Sequence, residues 1–365
     1  MTDSPLNLRP GIADAPIYVP GAHGDDTAAI PPAVLSANEN PLGPSPKAIA
    51  AYGEAIHLNR YPDGGATRLR QTLAAQFGLD VNRIVCGAGS DELITLLIRC
   101  YVGPGDEVLQ TQHGFLMYGI TAKTVGATPV LAPETPDLHT DIDALLACVT
   151  DKTRICFVAN PNNPTGTYIP GSELRRLRDG LREDILLVID AAYSEYVDAP
   201  DYSDGRDMVE DYQNVVMLRT FSKLYGLAAL RLGWCYAPEA VVDALNRVRS
   251  PFNVNSSAQA AGIAALGDQD HVDLSLAQNA EQLKRLCGAL SQLGLGFPPS
   301  VCNFVLIRFN DADTAKRALT HLADQGVIVR SVAGYGLADS LRATIGTAAE
   351  NDRLIAGLTD FMNNG

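Results

Sequence analysis

The sequence predicts an α/β protein, a mainly parallel sheet of seven strands followed by a smaller α+β unit. Three observations carry this. Between residues 83 and 237 seven short apolar runs alternate with helical stretches. The runs are near-continuous in Ile, Leu and Val, which marks strands covered on both faces. After about residue 262 that alternation stops, and helices and strands follow in a different order.

Residues 1–35 are rich in Pro, Gly and Asp and read as an extended arm. The polar stretch Ser36–Pro46 leads into a helix near Lys47–Ala55. A turn at Tyr61–Gly65 precedes a helix over Thr67–Phe77, with Leu69, Leu73 and Phe77 on one face. Strands are expected at Arg83–Cys86, Glu107–Leu109, Pro129–Leu131, Ile155–Ala159, Leu186–Asp190, Val215–Leu218 and Leu232–Ala237. Helices fall around 91–101, 114–124, 141–149 and 172–182. Further on, Leu283, Leu286, Leu290 and Leu293 recur at helical spacing. A strand at Asn303–Phe309, a helix at 313–325, strands at Val327–Arg330 and Leu341–Ile345, and a last helix complete the chain.

Composition narrows the function. The 365 residues are 46% hydrophobic and 19% charged, as in an ordinary globular protein, and the net charge of −14 argues against nucleic acid and anionic membrane surfaces. An anionic substrate must therefore be captured by local arginines. Seven cysteines, an odd number without Cys-x-x-Cys spacing, read as reduced core thiols and give no metal site. There is no basic segment followed by an apolar one at the N-terminus, and no run near the ~18 apolar residues of a membrane span. The expectation is a cytoplasmic protein.

In open α/β sheets, ligands bind at the carboxyl ends of the strands. After the first run comes Gly87-Ala-Gly-Ser-Asp-Glu92, where glycine freedom and exposed helix amides at Gly89, Ser90 and Asp91 make a phosphate cradle. Ser90 as an N-cap fits the same stretch. Glu92 stands where a dinucleotide fingerprint needs its third glycine. The turn Asn160–Gly166 projects asparagines, and Asn163 suits a phenolic oxygen as donor. Asp190 ends a buried strand, where it would pair with a protonated pyridine nitrogen, and Tyr193 follows it. Phe115 reads either as a ring-stacking residue or as core.

Arg219–Trp234 completes the set. Lys223 sits among Leu224, Leu227 and Leu230, and desolvation lowers an amine's pKa toward nucleophilicity. Ser222 and Arg231 suit a phosphate. A lysine, a phosphate grip, an acid and a tyrosine at neighbouring strand ends are the groups that pyridoxal phosphate requires. A nicotinamide enzyme would leave Lys223 and Asp190 without a role. Arg342, isolated in an apolar strand, is costly to bury without an anion, either a ligand or an internal carboxylate.

On Ser36–Pro46, Arg60-Tyr-Pro-Asp63, the turn at 163–166, Asp190-Ala-Ala-Tyr193 and Ser222-Lys223, the chain resembles the fold-type I pyridoxal-phosphate transferases. Within them it is similar to the histidinol-phosphate aminotransferase family, over nearly its whole length. The resemblance implies that Lys223 carries the cofactor covalently and then moves the proton, with Asp190 at the pyridine nitrogen and Asn163 and Tyr193 at the phenolic oxygen. Gly89, Ser90, Asp91, Ser222 and Arg231 would hold the phosphate. Tyr61 would reach the cofactor phosphate of the neighbouring subunit, so that a homodimer shares its active sites. Arg330 and Arg342 would bind the anionic end of the substrate, joined by Tyr18 and Asn38, with Tyr61 and Asn163 at its rim.

Three domains are implied: 1–45, an arm contributing to the small domain; 46–262, a large cofactor-binding domain; and 263–365, a small C-terminal domain. Ala88, His113 and Phe115 depart from residues common in the family, leaving the far end of the substrate pocket open. The reaction implied is amino transfer between L-histidinol phosphate and 2-oxoglutarate, giving imidazole acetol phosphate and L-glutamate. An aromatic amino-acid aminotransferase, a dual-substrate enzyme and a phosphothreonine-type decarboxylase share the scaffold.

Overall fold

The computed structural model describes residues 8–22, 31–55 and 58–364, so the parts of the expected arm at 1–7 and 23–30 lie outside the described residues. The chain begins with β1 (Ala33–Leu35), α1 (Pro46–Glu54) and α2 (Thr67–Phe77). An alternating series follows: β2 (Ile84–Gly87), α3 (Ser90–Tyr101), β3 (Glu107–Thr111), α4 (Leu116–Thr124), β4 (Thr128–Ala132) and α5 (Ile142–Ala147). It continues with β5 (Thr153–Ala159), α6 (Gly171–Gly180), β6 (Leu186–Asp190), α7 (Arg206–Asp211), β7 (Val215–Thr220) and β8 (Gly233–Tyr236). Then come α8 (Glu239–Val248), α9 (Ser256–Leu266) and α10 (Gln269–Gln292). The chain closes with β9 (Phe304–Arg308), α11 (Ala312–Asp324), β10 (Val327–Ser331), β11 (Ser340–Thr344) and α12 (Ala348–Asn364).

β2 to β8 form one seven-stranded sheet in the order β2-β8-β7-β6-β5-β3-β4. β8 pairs antiparallel with both β2 and β7, and the other neighbours are parallel. Six strands therefore end at one edge, where Gly87, Thr111, Ala159, Asp190 and Thr220 come together. Side chains alternate across the sheet: Leu187 and Ile189 of β6 pack under α2, α6 and α9, whereas Leu186 and Val188 pack under α3, α4 and α8. Each such fully buried aliphatic contributes about 1.5–3 kcal/mol.

The second sheet has the order β1-β10-β11-β9, with α10, α11 and α12 against it. β1 belongs here, pairing parallel to β10 through Ala33–Val327 and Leu35–Val329. Three residues are too short to carry a period, so this strand lies inside the stretch whose sequence presents an extended arm through residue 35. Between β8 and α10, where the sequence pattern predicts no helix, the structure has two. α9 packs against both α1 and α2, so it lacks a polar face from which a helical period could be read. Among the described residues no helix is long and apolar enough to cross a membrane.

Candidate active site

A cleft of about 260 Å³ opens where the strand ends of the large sheet meet the small sheet. Its floor is built by β2, β6 and β7. Gly89, not Ser90, caps α3: it adopts φ +83°, and a Cβ there would lie 2.6 Å from Arg231 Nη2. Ser90 is the first helical residue, so its amide and that of Asp91 are helix N-terminal donors suited to an anion. Arg231, held at φ +51°, donates to Ser222 Oγ at 3.3 Å and to Asp91 Oδ2 at 3.0 Å. The Asp91 carboxylate is thus turned onto the guanidinium. Glu92 braces the turn from behind, accepting from the Ala88 amide and from Asn253.

Lys223 lies in the turn after β7. Its Nζ donates to the carbonyl of Ala37 at 2.9 Å and stands 5.8 Å from the centre of the Tyr193 ring. Burial first, then the charge of Arg342, pull its pKa down from 10.5 to about 8, against opposing pulls from Asp91 and Glu39. Asp190, at the end of β6, is pushed the other way, up to about 6, chiefly by burial; the hydrogen bond from Tyr118 pulls it back. Asp190 Oδ2 accepts from that hydroxyl at 2.6 Å, while Oδ1 is buried with no partner.

The opposite wall comes from the loop after β1 and from the small sheet. Asn38 takes φ +55°, a conformation asparagine tolerates, and donates from Nδ2 to Tyr193 Oη at 2.9 Å. Thr344 and Asn303 hold its backbone. Burial pushes the Tyr193 hydroxyl up, so it stays protonated. Arg342 donates to Asn163 Oδ1 and to the Ser36 carbonyl, and its Nε is buried without a partner. Arg330 is its cross-strand neighbour in the β10–β11 register. Arg330 donates to the Val19 carbonyl at 2.6 Å and lies 5.9 Å from the Tyr18 ring. Among the described residues no carboxylate forms an ion pair with either arginine, which removes the internal-carboxylate alternative for Arg342 there.

Lys223, Asp190, Tyr193, Asn163, Ser90, Asp91, Ser222, Arg231, Phe115, Tyr18, Asn38, Arg330 and Arg342 all line this one cleft, and Gly89 shapes its floor. Tyr61 does not. It is 82% exposed and stacked on Phe252 at 4.6 Å, and it is not among the residues lining its own chain's cleft. Sequence reasoning missed Tyr118, three residues beyond Phe115, because nothing local ties it to an acid 72 positions on. It also missed Tyr335, which lines the cleft from the small-sheet side. His113 holds that segment: its Nδ1 donates to the Tyr335 carbonyl at 2.6 Å, while its Nε2 lies 3.6 Å from the buried Glu134.

Known proteins match this architecture. The family model for aminotransferase class I and II matches residues 31–358. A histidinol-phosphate aminotransferase of Paramagnetospirillum magneticum is 55% identical, covering 97% of this chain and 98% of that protein. One from Rhodospirillum centenum is 51% identical over the same shares. Among solved structures, the histidinol-phosphate aminotransferase from Sinorhizobium meliloti in complex with pyridoxal-5'-phosphate superposes with a TM-score of 0.85 at 30% identity, covering 90% of each chain. With a family match over most of its length and relatives above half identical, this chain belongs to the class I and II aminotransferases.

Proposed function

We propose that the chain transfers an amino group between L-histidinol phosphate and 2-oxoglutarate, with pyridoxal 5'-phosphate as its cofactor. The observation that carries this is the arginine pair. Arg330 and Arg342 stand directly across from one another on β10 and β11, unfavourable for like charges unless an anion lies between or beside them. A guanidinium accepts either a phosphate or a carboxylate, as the two half-reactions demand. The name shared by the relatives supports the substrate.

The residues fit the cofactor. Asp190 Oδ1 is a buried carboxylate oxygen that lacks an N–H donor, which a protonated pyridine provides. The floor at Gly89 has no room for a Cβ, and the Ser90 and Asp91 amides, Ser222 and Arg231 are the groups for its phosphate. When bound, pyridoxal 5'-phosphate supplies an aldehyde for the amino group and a ring that accepts electron density. Tyr193 and the amide of Asn163 serve its phenolic oxygen, and Phe115 covers a ring face. Lys223 Nζ, with its lowered proton affinity, would move a proton between the carbon that bears the amino group and the cofactor's aldehyde carbon, one way in the first half-reaction and the reverse way in the second. Tyr18 of the arm closes over the substrate beside the arginines, and Asn38 contacts it.

We further assign a homodimer with shared sites, in which Tyr61 serves the partner's cleft; its outward stack with Phe252 and the exposed Leu58 support this. The division into 1–45, 46–262 and 263–365 goes with that assembly, and the pairing of β1 with β10 supports it.

The test is the visible spectrum of the cofactor-loaded protein mixed with L-histidinol phosphate and no keto acid. Prompt loss of the band, restored by 2-oxoglutarate, is the expected result. An unchanged band would end the histidinol-phosphate assignment and turn attention to phenylalanine, tyrosine and phosphothreonine.

A further inference from the structure

We propose that Tyr118 is a positioning residue that sets where the proton between Asp190 and the cofactor's ring nitrogen resides. The inference rests on the cofactor reading above. Asp190 continues the face of Leu186 and Val188 along β6, the face that α4 covers. From α4, Tyr118 reaches that face and donates its hydroxyl to Asp190 Oδ2 at 2.6 Å. The phenol is held on both sides: it stacks on Phe157 with ring centres 4.4 Å apart and 7° between planes, and meets Phe115 edge-on at 5.7 Å. One carboxylate oxygen is therefore occupied by a neutral donor. The other, Oδ1, is left bare and buried.

The identity of that donor has a chemical consequence. A carboxylate and a pyridine nitrogen share one proton. On nitrogen it makes the ring an electron sink; on oxygen it does not. Burial favours the proton on Asp190, and Asp91 of α3 adds to that tendency, whereas Lys223 and the Ala192 amide oppose it. The Tyr118 hydroxyl stabilises the ionised carboxylate and so returns the proton to the ring. Burial, then Asp190, Asp91 and Tyr193, hold the phenol's own proton firmly, so Tyr118 remains a donor. A cation at this position would do more, but it would also neutralise the charge that the ring nitrogen needs opposite it.

The experiment loads the full-length protein with cofactor labelled with ¹⁵N in its ring and records the ¹⁵N resonance. Tyr118→Phe keeps both ring contacts and removes the donor. The resonance is expected to move from the protonated toward the neutral pyridine position, with kcat falling roughly tenfold. Replacing Tyr118 with 3-fluorotyrosine, a stronger donor of nearly the same shape, is expected to move it the other way. This second variant decides the question if Tyr118→Phe fails to fold. A resonance unmoved by the substitutions, on cofactor that is bound, overturns the inference and leaves the function standing. Failure of the unaltered protein to take up the labelled cofactor would overturn the cofactor reading and the inference with it.

Discussion

Lys223 and Asp190 are ionisable groups in apolar surroundings, and burial moves their proton affinities toward each other. The sign of each contribution to stability differs. Asp190, with its affinity raised, adds stability below its ordinary 3.8, and that is lost as pH rises through about 6. Lys223, with its affinity lowered, adds stability above its ordinary 10.5, and that is lost as pH falls through about 8. Between those two values both groups destabilise the cofactor-free fold, and a bound cofactor relieves both. The stabilisation given by the cofactor is therefore expected to peak between about pH 6 and 8, measured as the difference in Tm between loaded and stripped protein. In stripped protein, Asp190→Asn is expected to raise stability by roughly 3 kcal/mol near neutrality and by little below about pH 4. No gain near neutrality would mean that the carboxylate is not under strain. Lys223→Ala is expected to retain cofactor binding through the phosphate and ring contacts while turnover all but disappears. Normal turnover in that variant would remove the central assignment.

At the scale of elements, the legible strands were those buried on both faces, since β5, β6 and β7 are unbroken apolar runs whose ends carry polar residues. Asp190 pointed to the candidate site for the same reason: an acid has no place at the end of such a run without a partner. What stayed hidden depends on contacts across the fold. The three residues of β1, the helix α9 packed between two others, and the reach of Tyr118 to Asp190 have no local period to betray them. The outer brace of the site is of this kind too. Arg219, at the end of β7, is buried and pairs with Glu195 at 2.8 Å and Asp204 at 2.8 Å, tying the turn before Lys223 to the segment after Tyr193. It also lies 5.1 Å from the centre of the Phe77 ring and 5.7 Å from that of Trp234. Arg219→Leu leaves Glu195 without its cation and Asp204 with Arg206 alone, and is expected to destabilise the protein by about 3–5 kcal/mol, read by chemical denaturation. A change below ~1 kcal/mol would show that the triad is replaceable by packing.

At the scale of the whole molecule, charge and symmetry act together. With a net charge of −14 the protein repels anionic substrates at long range, so under the proposed function capture would fall to Arg330 and Arg342 gathered in one cleft. Tyr61 is the one expected site residue that points outward, and its stack on Phe252 leaves both rings at the surface. A two-fold assembly would carry that surface to the partner's cleft, so each site would draw Lys223 from one chain and Tyr61 from the other. Two inactive variants can test this. In a dimer of Tyr61→Ala with Lys223→Ala, one site receives both substitutions and the other receives neither. Unfolding and refolding an equal mixture makes about half the dimers mixed, each with one intact site, so activity is expected to recover to about a quarter of the unaltered protein. Recovery no greater than the mean of the two parents would mean that each chain completes its own site.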